Sequence, residues 1–126
     1  MHDWEQGVVK IADDLCVYPG YTFEDFKETD YYKGQSSNRQ IILNRYFHIE
    51  GHIFAIDLIF HNDIIYSVGL SCTDIDIPRI NEKKRKELHD AILREQGIKE
   101  TRFSWGEIYS GYDPIGDVST LGFYFK

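Results

Sequence analysis

The segment from Ile41 to His61 constrains the fold more than any other part of the chain. Ile41–Ile49 and His52–Phe60 alternate apolar and polar residues with a period of two, and Glu50-Gly51 separates them. That period describes strands buried on one face, and the short Gly-containing separator describes an antiparallel hairpin. The predicted pairing sets Ile49 against His52, Phe47 against Phe54 and Leu43 against Leu58. One face then carries Ile41, Leu43, Phe47, Ile49, Phe54, Ile56, Leu58 and Phe60, with Arg45 as the exception. The other carries Asn44, Tyr46, His48, Asp57 and His61 among smaller apolar residues.

A third strand is predicted over Ile64–Ser71, with two registers to choose from. A two-residue turn at Asn62-Asp63 puts Ser67 and Gly69 on the core face. A three-residue loop over His61-Asn62-Asp63 puts Ile64, Tyr66, Val68 and Leu70 there, and is preferred because it buries the apolar set.

Upstream, Gly7–Tyr18 reads as a short hairpin turning at Asp13-Asp14, ended by Pro19-Gly20. Thr22 followed by Asp25 is a cap-like start for a short helix over Phe23–Thr29, with Phe23 and Phe26 inward. Downstream, Thr73–Arg79 is an acidic loop ended by Pro78. Asn81 then caps a long helix to about Gln96, stopped by Gly97, with Leu88, Ala91, Ile92 and Glu95 along one stripe. Two final strands, Thr101–Tyr109 and Val118–Phe125, flank a Gly111–Asp117 loop. The expected architecture is α+β: one antiparallel or mixed sheet of about five to seven strands against one long helix, with one short N-terminal helix. At 126 residues the whole chain, 1–126, is expected to form one domain.

The charge is unevenly spread. The net charge is -7, and residues 1–30 hold eight acidic against two basic residues, which is -6. In that stretch Asp13, Asp14, Glu24, Asp25, Glu28 and Asp30 are the candidate charged surface. A one-signed surface steers an oppositely charged partner and repels nucleic acid and anionic lipid, so neither is expected to bind. No signal-like or membrane-length apolar segment is read, and the expected compartment is the cytoplasm. Cys16 and Cys72 are expected to be free thiols.

The chemistry-bearing residues do not assemble into a catalytic motif. His48 and His61 share one predicted face and His52 takes the other, so three histidines do not converge on a metal. His48 with Asp57 on the outer face, or Glu107 with Asp113 near the final loop, could make an acid–base pair, and His48 with Asp57 would define an alternative small hydrolase or nuclease. No phosphate-cradling glycine motif is present, and neither cysteine has a neighbour that would activate it. Lys83-Lys84-Arg85-Lys86 is interleaved with acidic residues and reads as a solvated helix face. Glu107, Tyr109, Tyr112, Asp113 and Asp117 form a second candidate contact surface on the final hairpin, where tyrosine suits protein contact. No cofactor, metal or enzymatic activity is expected.

Trp105-Gly106-x-Ile108, then Tyr112-Asp113-Pro114-x-Gly116 and Ser119, resembles a pattern found among small bacterial immunity proteins. These are the partners of polymorphic or contact-dependent growth-inhibition toxins. The resemblance covers residues 39–126 in layout, with its identifiable residues in 105–119. It implies a binding protein that neutralises a cognate protein toxin and transfers no contact residues. The acidic field fits a basic nuclease domain as that toxin, because complementary charge speeds encounter. A self-associating structural protein, pairing through a sheet edge, is a further alternative.

Overall fold

A computed structural model describes residues 3–74 and 81–126. After a 3-10 turn, Asp3–Gln6, the described elements are β1 (Val9–Ala12), β2 (Leu15–Val17), α1 (Phe23–Lys27), β3 (Ile41–Ile42), β4 (Phe47–Ile49), β5 (His52–His61) and β6 (Ile64–Cys72). They continue with α2 (Glu82–Glu95), β7 (Arg102–Phe103), β8 (Gly106–Asp113) and β9 (Val118–Phe125). The class is α+β, as expected. The nine described strands exceed the expected five to seven, and they form two sheets. Seven make one sheet in the order β3-β5-β6-β9-β8-β7, with β4 pairing β5 beside β3. Every pairing in it is antiparallel. The N-terminal hairpin β1-β2 is a separate sheet.

The central hairpin forms where its pattern requires. Glu50 and Gly51 both take positive φ, 52° and 80°, as a tight two-residue hairpin turn demands. Ile49 pairs with His52 and Phe47 with Phe54. All eight predicted core-face residues are buried. The third predicted pair is wrong: Leu58 meets Ile41, not Leu43. The chain leaves the ladder between Ile42 and Phe47, which shifts the register by two positions and preserves the facing of every side chain. This excursion also accounts for Arg45, which sits exposed between the two short strands instead of pointing into the core.

The β5–β6 connection does not follow the preferred three-residue loop: it makes the two-residue turn and recovers the inward facing of Val68 and Leu70 through a bulge. Asn62 and Asp63 form a two-residue turn with positive φ at both positions, and His61 pairs with Ile64. A bulge then lets Phe60 pair with Ile65 and Ile59 with Ser67. The extra residue places Val68 and Leu70 in the core. It leaves Ile64 and Tyr66 exposed, against expectation, and buries Ile65 instead.

One apolar face of the large sheet is covered by the N-terminal hairpin, α1 and α2. Val9, Ile11, Leu15 and Val17 are buried beneath the hairpin. Thr22 Oγ1 accepts the Asp25 N–H at 3.1 Å and starts α1, which ends two residues before the predicted Thr29. Phe23 and Phe26 pack on Phe60 with ring centroids 5.5 and 6.1 Å away. Each such fully buried aromatic contributes about 1.5–3 kcal/mol. Trp4 meets Phe123 edge-on at 5.3 Å, which ties the first turn to β9.

Three further expectations need correction. The final hairpin continues as strand to Asp113, so its turn is residues 114–117 and not the whole Gly111–Asp117 segment. Its first predicted strand is broken by a turn at Ser104-Trp105, making β7 and β8 a hairpin of their own. Asn81 does occupy the N-cap position of α2, but its side chain makes no capping bond. The predicted Thr73–Arg79 loop, with Pro78, lies largely outside the described residues.

Candidate functional site

The acidic residues of the N-terminal third are carried by two elements that the fold brings together. Asp13 and Asp14 form the β1–β2 turn, and Asp14 Oδ2 accepts the Asp30 N–H at 2.9 Å. Glu24 and Asp25 stand on the first turn of α1 and Glu28 at its end. All six carboxylate residues are exposed. Glu24 pairs with Lys27 at 2.7 Å. Tyr21 lies among these groups. Its hydroxyl is driven well above the usual tyrosine range by burial first, then by the charges of Asp25 and Asp14.

The second candidate surface is divided by the pleat. Glu107, Tyr109 and Asp113 alternate along β8 and share the sheet face opposite the core. Tyr112 takes the other face, where Lys83 lies 5.7 Å from its ring and its hydroxyl donates to Asp117 Oδ1 at 2.8 Å. The tyrosine patch is therefore two patches. The β8–β9 turn also lies at the opposite end of the sheet from the Asn62-Asp63 turn, beside which Tyr21 and α1 sit.

The outer face of the sheet is glycine-lined and tyrosine-roofed. Tyr109 lies over Gly111, where an added Cβ would come within 2.3 Å of Tyr109 Cε2. Tyr124 lies over Gly122, with a corresponding approach of 2.5 Å. Asp57 folds over Gly69 and accepts from Gln40 Nε2 at 2.8 Å. Grooves of about 470 and 260 Å³ open on either side of Tyr124.

His48 and Asp57 are not brought together. His48 pairs with Ile53, and Asp57 lies four positions further along β5, roughly 13 Å at about 3.3 Å per residue. His61 stacks on Tyr66 at 4.1 Å. The basic run is drawn into helix contacts: Arg85 pairs with Glu82 at 3.0 Å and Lys86 with Asp90 at 2.9 Å.

The inward line of α2 is unlike the predicted stripe. Ile92 is buried, Leu88 and Ala91 are half-buried and Glu95 is exposed. The remaining inward positions are polar: Glu82, Arg85 and His89. His89 is wholly buried, and its Nε2 accepts the Cys72 N–H at 2.9 Å. Burial first, and then the charge of Arg85, lowers its pKa to about 4, so the ring is neutral with its proton on Nδ1.

At the other end of α2, His52 is held between two carboxylates. Its Nδ1 lies 2.5 Å from Asp74 Oδ2 and its Nε2 3.0 Å from Glu95 Oε1. Both ring nitrogens face carboxylate acceptors, an arrangement that favours the doubly protonated ring. Burial opposes that charge, but the bonds to Asp74 and Glu95 outweigh it and raise the pKa. Asp74 Oδ1 accepts the Ile53 N–H at 2.6 Å. Cys72 lies beside this group, and burial pushes its thiol up to about 11. A thiol raised in this way is protonated at neutral pH, so Cys72 is not an activated nucleophile. The cluster escapes a search restricted to histidines. The legible signal is Cys72-x-Asp74 at the end of one strand and His52 at the start of its partner, and only the bulged register sets Asp74 opposite His52.

Comparison with protein-family models, curated proteins and solved structures returns no match. Among the described residues, no helix is long and apolar enough to cross a membrane.

Proposed function

We propose that this protein is a cytoplasmic, non-enzymatic immunity protein that binds and neutralises a basic toxin domain, a nuclease by charge complementarity, through its acidic end. The observation that carries the reading is the exposed group formed by Asp13, Asp14, Glu24, Asp25, Glu28 and Asp30, contributed by the β1–β2 turn and α1 and held together by the Asp14–Asp30 bond. Exposed carboxylates on rigid, packed elements offer a preorganised counter-surface for lysines and arginines, and their field accelerates encounter. The separation of His48 from Asp57 supports binding over hydrolysis. Glu107, Tyr109 and Asp113 on the outer face are the second contact surface of this proposal.

The test is capture from host lysate by the tagged wild-type protein and by a variant with all six acidic residues changed to alanine, at low and moderate salt. The wild type is expected to retain one dominant basic protein and release it as salt rises. The variant is expected to retain much less. Expression of the captured protein should arrest growth, and co-expression of this chain should restore it. Equal retention by the variant would remove the acidic end from the proposal, and a captured protein without growth inhibition would end the immunity reading.

A further inference from the structure

We propose that His52, Cys72 and Asp74 form a binding site for a divalent transition-metal ion of the Zn²⁺ class. The ligands are His52 Nδ1, Cys72 Sγ and Asp74 Oδ2. The site is independent of the acidic end and of the toxin-binding reading.

The three donor atoms lie within 4.8 Å of one another. Metal–ligand bonds of about 2.0–2.3 Å in a tetrahedral site place neighbouring donors roughly 3.3–3.8 Å apart. The group is therefore already near that spacing. The Nδ1–Oδ2 pair, at 2.5 Å, must widen by about 0.8 Å to reach it. An imidazole, a thiol and a carboxylate are a nitrogen, sulfur and oxygen set that selects Zn²⁺-like ions over Ca²⁺ or Mg²⁺, which prefer oxygen alone.

The groups behind the ligands carry the argument furthest. A ligating histidine characteristically donates its other ring N–H to a carboxylate, and Glu95 already accepts at His52 Nε2 at 3.0 Å. The second oxygen of Asp74 is fixed by the Ile53 N–H at 2.6 Å. Cys72 is held at both ends of its backbone, its N–H by His89 and its carbonyl by Arg85. All three ligands are thus oriented by other groups. On binding, the ion displaces the Cys72 S–H proton and the His52 Nδ1 proton to solvent. The resulting thiolate and carboxylate neutralise its two positive charges. The bound ion would join the start of β5 to the end of β6, with α2 held through Glu95.

Cobalt(II) titration of the reduced, full-length protein tests this. The wild type is expected to develop a near-ultraviolet thiolate-to-cobalt absorption that saturates at one equivalent and is removed by Zn²⁺. Cys72→Ser and His52→Ala should lose the band, whereas Cys16→Ser should keep it. Glu95→Gln alters an exposed side chain and should leave the fold intact by circular dichroism while weakening cobalt affinity about 10–100-fold. The proposal is overturned by a folded wild type without the band, by a band that survives Cys72→Ser, or by an unchanged affinity in Glu95→Gln.

Discussion

Cys72 and Ser119 stand in register two positions beyond the last pair of the β6–β9 ladder, yet they do not bond each other. The ladder stops at Leu70 and Leu121. Beyond it, side chains replace each of the four backbone partners. His89 Nε2 accepts the Cys72 N–H at 2.9 Å, and the Arg85 guanidinium donates to the Cys72 carbonyl. Glu82 Oε1 accepts the Ser119 N–H at 3.0 Å, and Ser71 Oγ donates to the Ser119 carbonyl at 3.1 Å. Buried backbone groups must be paired, and here α2 supplies most of the partners. This is the physical reason that its inward line is polar.

Glu82 is the centre of that arrangement. Its carboxylate serves both Ser119 and Arg85, and its carbonyl accepts the Ser119 hydroxyl at 2.5 Å. Glu82→Ala removes an acceptor from a buried N–H and leaves Arg85 without its counter-ion. A loss of about 3 kcal/mol is expected in urea unfolding. Glu82→Gln keeps an acceptor for Ser119 and should cost about half as much. Equal losses for the two variants would contradict this account.

His52 and His89 impart opposite pH slopes. The folded pKa of His52 is raised, so its stabilisation is complete below about 6.5 and is lost as pH rises through the folded value. The folded pKa of His89 is lowered to about 4, so its neutral form favours folding above about 6.5 and that advantage is lost as pH falls toward 4. The His89 contribution is about 3 kcal/mol over that interval. Thermal unfolding between pH 4 and 9 should show both limbs, with His52→Gln flattening the alkaline one and His89→Gln the acid one. An acid limb unaltered in His89→Gln would assign it to other groups.

Gly106 opens β8 with φ of 152°, and a Cβ there would lie 1.9 Å from the Tyr124 carbonyl oxygen. The obstacle is backbone on the neighbouring strand, which cannot swing aside. Gly106→Ala is expected to cost about 3 kcal/mol or more. Gly34 also has positive φ, 86°, but faces open space, so Gly34→Ala should cost only about 1 kcal/mol. Chemical denaturation of the pair checks the contrast, and similar midpoints would refute it.

Much of the fold was legible because burial follows a short period. The core face of the central hairpin reads directly from alternation, and its tight turn stands where Glu50-Gly51 predicts it, whereas the turn at Asn62-Asp63 has two residues and not the preferred three. The errors are shifts of pairing. The excursion between β3 and β4 and the bulge near Tyr66 each change which residues face one another while keeping Val68 and Leu70 inward. The polar stripe of α2 was hidden because Glu82, Arg85 and His89 resemble solvated helix residues until the unpaired ends of β6 and β9 are set against them.

The sequence by itself determined which side chains of β5 and its neighbours are inside, since that depends on a local pattern repeated every second residue. It determined equally that the N-terminal third is acidic. The tertiary structure alone decided that Asp14 meets Asp30, that His48 and Asp57 stand apart, and that His52, Cys72 and Asp74 converge. Those meetings depend on strand register and on where a ladder ends. A one-residue bulge alters the register, and the local alternation of the strands carries no record of it.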